Sequence, residues 1–148
     1  MISLCYSIWA DAINYERIKN GGEGHWKSFT FSYMSILLSL NIAAIFSAIL
    51  FFTNYDLTWK LKEYLIHFSN ESIRNILWAI IVLFSPSMLF NYFFIFYKNR
   101  YEYILANYEF KGGKFLLIYF LVSVIILFGF SLLNKFFVSF SELLSLLV

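Results

Sequence analysis

The chain has 148 residues, of which 61% are hydrophobic, 23% are aromatic and only 14% are charged, and its formal net charge is +2. A soluble domain carries about 25% charged residues, and so short a chain cannot enclose this much apolar surface in one core. The composition therefore excludes an ordinary soluble domain, makes the lipid bilayer the expected surrounding, and argues against a nucleic-acid partner.

Residues 1–20 form the first predicted element. Apolar side chains recur there at helical spacing, at Ile2, Cys5, Tyr6, Trp9 and Ile13. Charged residues collect towards the end of the segment, which is typical of an amphipathic helix lying at the membrane interface. The segment has no basic start and Asp11 interrupts its apolar run, so we expect it to stay in the mature protein rather than act as a signal peptide.

Three apolar stretches follow, at about 29–53, 73–97 and 115–134. Each can cross a hydrocarbon core, which takes about 20 helical residues. Only helices or closed barrels satisfy the backbone in lipid, and the alternation typical of strands is absent. The predicted fold class is an all-α integral membrane protein, with a three-span domain over 28–148 and the interfacial helix before it.

The segments before the first two spans contain candidate caps and one further helix. Ser28 is placed to cap the first span, and Ser69 or Asn70 to cap the second. Between those spans, one helical face carries Leu57, Leu61, Tyr64, Leu65 and Phe68, which predicts a short surface helix.

The second loop and the C-terminal tail follow the second and third apolar stretches. The tyrosine-rich stretch "YKNRYEYILANYEFKGGK" is expected to extend the second helix beyond the membrane, until Gly112 and Gly113 turn the chain back. The tail "NKFFVSFSELLSLLV" is too short for another span. It either lengthens the third helix or returns along the interface.

The basic residues predict the orientation. With three spans, one side receives seven basic residues: Arg17, Lys19, Lys27, Lys98, Arg100, Lys111 and Lys114. The other side receives four: Lys60, Lys62, Arg74 and Lys135. Because positive residues are retained on the cytoplasmic side, the N-terminus is predicted to be cytoplasmic.

Small and polar residues mark the first span. Candidates for helix packing or pore lining are Ser32, Ser35, Ser39, Asn41 and Ser47. Small residues let transmembrane backbones approach closely, and hydroxyls or carboxamides then bond across the interface. Two alternatives stay open at this point, which are packing within one chain and assembly of several chains around a narrow polar path.

The second span contains one proline, within "FSPSMLFN". Pro86 is expected to kink the helix and free the carbonyl of Val82, which Ser85 or Ser87 could satisfy. Asn91, one turn further on, is the predicted polar partner of Asn41.

The sequence contains no pattern typical of a catalytic, metal-binding or ion-coupling site. The first two spans have no charged residue at depth, which argues against a proton-coupled transporter or an ion pump. His25 and His67 have no second ligand or acid at useful spacing, and no phosphate-binding loop or nucleophile motif occurs. We therefore expect no enzyme, no catalytic residue, no bound metal and no cofactor.

Asp11, Arg100 and Glu102 are the candidates for cytoplasmic interaction. They lie in segments that mix charges with aromatic residues. Such segments either face water as ordinary helix extensions or contact lipid headgroups, another subunit, or a second membrane or cytoplasmic protein. Asp11 either faces water or pairs with a Lys or Arg of the second loop.

Two pieces of the chain carry a resemblance. "YSIWADAI" (6–13) and "FNYFFIFYKNRYEYILANYEFKGGKF" (90–115) resemble a group of small, uncharacterised bacterial multi-span membrane proteins. That group pairs an "IWADAI"-like start with an "NYF…NRYE…GK" segment. The resemblance implies bacterial origin and a shared topology, and its matching positions are Trp9, Asp11, Asn91, Arg100, Tyr101 and Glu102.

The expected function follows from these features. A chain too small to enclose a channel alone, with a polar stripe on one span, predicts a homo-oligomer of the bacterial cytoplasmic membrane that forms or gates an ion-conducting pore. Its architecture is similar to that of small membrane effectors in anti-phage defence. The alternative is a structural subunit of a larger envelope membrane complex.

Overall fold

A computed structural model describes the backbone of residues 2–19, 21, 25–65 and 70–145. Side chains are described over the same ranges except at 2, 64–65 and 138–145. Within these residues the secondary structure is helical, without strands: α1 (Ile2–Lys19), α2 (Trp26–Thr53), α3 (Leu57–Leu65), α4 (Glu71–Trp78), α5 (Ser85–Asn91), α6 (Arg100–Asn107) and α7 (Lys114–Ser145).

Three of the helical segments are long and apolar enough to cross a membrane. They are Trp26–Thr53, Glu71–Asn107 and Lys114–Phe137. Their outer faces remain covered with exposed Ile, Leu and Phe side chains, which lipid would solvate. The three predicted spans are thus present as helices, and each starts within three residues of its expected first residue.

The N-terminal helix α1 is packed into the bundle, not attached to its edge. It contacts α2, α6 and α7, and its five consecutive residues 9–13 are all buried. An amphipathic helix at an interface has one buried and one exposed face. The predicted helix is confirmed. The single apolar face expected of it is not present, because five consecutive residues are buried and therefore more than one side of the helix is covered.

The helix starts test the predicted caps. Asn70 caps α4, because its Oδ1 accepts the backbone N–H groups of Ser72 and Ile73 at 3.0 and 3.2 Å. Ser28 is not a cap, since α2 already begins at Trp26 and Ser28 lies inside it. The short helix α3 is also confirmed, while Ser69 and Phe68 lie outside the described residues.

The second span is irregular on both sides of its proline. A π-helical segment, Ala79–Phe84, precedes α5, and a second one, Tyr92–Phe96, follows it. Pro86 follows the first π-helical segment without a break, so its missing N–H falls where the helix changes from π to α, inside a continuous helical stretch. The predicted rescue of the Val82 carbonyl is wrong, because Ser85 Oγ donates to the Ile80 carbonyl and Ser87 Oγ to that of Leu83.

The predicted extension of the second helix is present, but as a separate helix, since the chain is kinked before α6. Lys98 and Asn99 both have left-handed backbone angles, with φ of 54° and 55°. A left-handed residue interrupts an α-helix, so α6 begins as a separate helix at Arg100. The chain then turns back at Gly112 and Gly113, as predicted, with φ of 67° and 76°.

The C-terminal tail lengthens the third span. Helix α7 continues through Ser145 and has 32 residues, which corresponds to about 48 Å at 1.5 Å per residue. That length exceeds the roughly 30 Å of a hydrocarbon core. Of the two alternatives for the tail, the described residues support the longer helix.

The glycine turn before α7 allows a matched pair of substitutions. Gly112→Ala and Gly113→Ala should each lower the free energy of unfolding by about 1 kcal/mol, because both glycines are left-handed. Gly113→Ala should cost more, since its new Cβ would lie 3.3 Å from Cδ2 of Tyr15, whereas Gly112 has open space. Unfolding of the two variants in mild detergent measures the difference, and equal losses would contradict this packing.

Candidate functional site

The polar residues between the helices form the candidate site. The most buried pair joins the first two spans: Asn91 Nδ2 donates to Ser35 Oγ at 3.0 Å, and Ser35 Oγ donates to the Phe31 carbonyl at 2.7 Å. Ser35 is fully buried and Asn91 is 3% exposed. The predicted pairing of Asn91 with Asn41 is therefore wrong, because Asn91 lies at the depth of Ser35.

Asn41 instead joins the first span to the third. Its Nδ2 donates to Tyr119 Oη at 2.6 Å and to the Leu37 carbonyl at 3.1 Å. A carboxamide has two N–H groups, and this geometry uses both within the bundle. The asparagine in the middle of the first span is thus satisfied by its own chain.

A third polar contact lies further along the same pair of helices. Asn134 Nδ2 donates to the Ser47 carbonyl at 2.9 Å. The contact uses the backbone of Ser47, not its hydroxyl. A small residue at this position lets the asparagine of α7 approach the backbone of α2.

Two of the five candidates in the first span, Ser32 and Ser39, form no such bond to another helix within the described part of the chain. Ser32 is exposed, and Ser39 is partly buried and donates only to the Ile36 carbonyl of its own helix, at 2.7 Å. Ser32 and Ser39 are seven residues apart, so they lie on the same face of α2. Among the hydrogen bonds of the described residues, none joins either hydroxyl to another helix.

The cytoplasmic candidates separate into one buried residue and two exposed ones. Asp11 is fully buried, and its carboxylate accepts the backbone N–H of Lys111 at 2.6 Å and that of Phe115 at 2.9 Å. The negative charge thereby caps the N-terminus of α7, where the helix dipole favours an anion. Asp11 fastens α1 to the third span and does not face water; the predicted pairing with a basic residue of the second loop occurs at the backbone of Lys111, and the buried carboxylate is not available to a cytoplasmic partner.

Arg100 and Glu102 are exposed and form weaker contacts. Arg100 Nη1 donates to the Phe93 carbonyl at 3.3 Å, and Glu102 accepts the Tyr101 hydroxyl at 3.2 Å. Lys27 Nζ donates to the same hydroxyl at 2.7 Å and lies 4.6 Å from the centroid of the Tyr101 ring. The Lys27–Tyr101 contact joins α6 to the start of α2, while Arg100 and Glu102 keep their charges at the surface.

Several hydrogen bonds between helices were not predicted from the sequence. Tyr119 and Asn134 bond the first span, and Tyr33 Oη donates to the Ala12 carbonyl of α1 at 3.0 Å. Tyr119 and Asn134 place polar atoms in an otherwise apolar run in the third span, and this feature of the sequence could have indicated bonds to another helix. Their partners depend on the relative depth of the helices, which the sequence does not give.

The described residues offer no metal site. No group of three or more His, Cys, Asp or Glu side chains in the described part of the chain is arranged to hold an ion. His67 lies outside the described residues, and His25 is exposed before α2. In the loop between α6 and α7, the hydrogen bond and positive charge of Lys111 lower the pKa of the exposed Glu109 carboxyl.

No protein-family model, no curated protein and no solved structure matches the chain. The resemblance to small bacterial membrane proteins therefore stays a prediction.

The Asn41–Tyr119 contact can be measured by a double-mutant cycle. We expect Asn41→Leu and Tyr119→Phe to show a coupling of about 0.6 kcal/mol, the average for such bonds in membrane proteins. Pairing Asn41→Leu with Tyr103→Phe is the control, because Tyr103 is 59% exposed on α6, whereas Asn41 bonds Leu37 and Tyr119. Equal coupling energies in the two cycles would show that the hydrogen bond contributes nothing of its own.

Proposed function

We propose that this chain is a non-enzymatic, multi-pass protein of the bacterial cytoplasmic membrane that acts as a homo-oligomer and conducts ions between its copies. The observation behind the proposal is the face of α2 that carries Ser32, which is exposed, and Ser39, which is partly buried. On a helix apolar enough to span a membrane, these two hydroxyl residues are left out of the bonds between helices.

The position of this face suits contact between chains. Seven residues correspond to about 10 Å along the helix axis, so the two serines cover roughly a third of a hydrocarbon core. Serine lets neighbouring backbones approach and can line a narrow polar path. A single chain of three spans cannot enclose such a path, so the proposal requires several copies.

Asn41 and Ser35 are not part of the proposed lining. Their side chains already bond Tyr119 and Asn91 within the chain. This internal use favours the second candidate function, a structural subunit whose first span serves mainly for packing. The two functions differ in whether the serine face of α2 lines a path or only contacts a neighbour.

Ion leakage from sealed liposomes tests the proposal. We expect liposomes containing the wild-type protein to leak, and the Ser32→Leu/Ser39→Leu double variant to lose most of this leakage. Ser131→Leu is the matched control, since Ser131 is an exposed serine on α7, and it should leave the leakage unchanged. A tight wild-type liposome, or equal leakage of both variants, would contradict conduction along this face.

The oligomeric mass of the protein in the same samples, taken together with the leakage, separates the pore from the structural subunit. An assembled wild-type protein that does not leak would favour the structural subunit.

The orientation can be checked in cells by attaching a reporter to the N-terminus, which is expected in the cytoplasm because the side with more basic residues is retained there.

A further inference from the structure

A cavity of about 410 Å³ lies between α1 and the three spans. Cys5 and Trp9 of α1 line it together with Phe90, Asn91 and Tyr119 of the spans. Its volume falls in the range of small-molecule sites, roughly 300–1,000 Å³. At its outer edge Leu4 is 55% and Phe90 47% exposed, so the cavity opens on the apolar side of the bundle.

The polar groups in this cavity are neutral hydrogen-bonding groups. Asn91 Nδ2 uses one N–H on Ser35, and a carboxamide nitrogen has a second. The Tyr119 oxygen accepts a bond from Asn41, and its own O–H is a further donor. Among the described residues that line the cavity, none is charged, and a charged ligand would be costly in such surroundings.

The walls favour a flat ring. Trp9, Phe90 and Tyr119 place three aromatic side chains around the space, and aromatic faces stack on planar groups. From the neutral donors, the aromatic walls and the apolar opening, we infer that the cavity binds the head group of a membrane quinone, with ring carbonyls accepting from Asn91 and Tyr119. The inference is independent of oligomer formation and of ion conduction.

The single cysteine of the chain allows a direct test. Partial burial raises the pKa of the Cys5 thiol, so its alkylation by N-ethylmaleimide is followed at mildly alkaline pH in nanodiscs. Duroquinone is the probe, because its ring is fully substituted and does not add thiols. We expect it to slow the alkylation of Cys5.

Two controls separate a site from general effects of the probe. In the Ser3→Cys/Cys5→Ser variant the thiol lies on the same helix but away from the cavity lining, so duroquinone should not protect it. Durene has the same ring and methyl groups without carbonyls. About a hundredfold higher concentration of durene should be needed for the same protection, the factor that corresponds to the loss of two ordinary hydrogen bonds.

Variants of the donors complete the experiment. Asn91→Leu should raise the half-protecting concentration of duroquinone about tenfold, and Tyr119→Phe, which keeps the ring, gives a second reading if the first variant folds poorly. Absence of protection, equal protection by durene, or equal protection by dioleoylglycerol would overturn the proposal. The last result would assign the cavity to ordinary lipid.

Discussion

Replacement of Asp11 by alanine is expected to lower the free energy of unfolding by about 3 kcal/mol. The substitution leaves the N–H groups of Lys111 and Phe115 without their acceptor at a fully buried position. Hydrogen bonds to charged groups contribute about 1.5–3 kcal/mol, and an anion at a helix N-terminus up to about 2 kcal/mol. Because these terms overlap, their sum is an upper bound.

Unfolding by a denaturing detergent, followed by tryptophan fluorescence, measures this loss. Asp11→Asn should cost less than Asp11→Ala, because the carboxamide keeps one acceptor oxygen. Glu63→Ala, at an exposed acidic residue of α3, is the control and should change stability little. A loss no greater than that of Glu63→Ala would show that α1 is not fastened to α7 through this carboxylate.

The second large effect is expected at Trp9. It is 4% exposed, and its ring meets Phe96 edge to face at 5.8 Å between centroids. Removing a buried tryptophan side chain costs about 3–5 kcal/mol, so Trp9→Ala should strongly destabilise the packing of α1.

Trp59→Ala is the matched control for Trp9→Ala. Trp59 is 63% exposed on α3, and its removal should leave the unfolding free energy nearly unchanged. Protease cleavage near the N-terminus gives a second measurement, because a released α1 becomes accessible. Equal stability of the two variants would contradict the enclosed position of the N-terminal helix.

The features that could be predicted from sequence were local. The three spans follow from the length and apolarity of their segments, and the turn at Gly112–Gly113 from the freedom of glycine at positive φ. Asn70 was one of the two predicted caps of the second span, and a cap is accessible to sequence reasoning because its side chain acts on residues only two and three positions away.

The features that could not be predicted depend on how the helices sit against each other. Asp11 bonds backbone groups 100 and 104 residues further on, and no local pattern indicates that distance. Asn91 was assigned the wrong partner because the relative depth of the first two spans does not follow from the sequence. The break at Lys98–Asn99 contains neither glycine nor proline, so only the tolerance of asparagine for left-handed angles marked it.

The N-terminal helix shows how packing overrides a pattern. Its charged end and apolar recurrence fit an interfacial helix, yet residues 9–13 are buried on all sides. Ala10 and Ala12 are small enough to let neighbouring helices approach from the faces that were expected to meet water. The same packing creates the cavity at Cys5 and Trp9, so α1 contributes to the candidate site as much as the spans do.

Native mass spectrometry of the wild-type protein in lipid nanodiscs tests the central claim most directly. The account predicts one closed assembly of several copies, because a polar path needs more spans than one chain supplies. The Ser32→Leu/Ser39→Leu variant should shift this assembly to smaller species. A wild-type protein that is monomeric, or no larger than a dimer, would contradict the proposed homo-oligomeric pore.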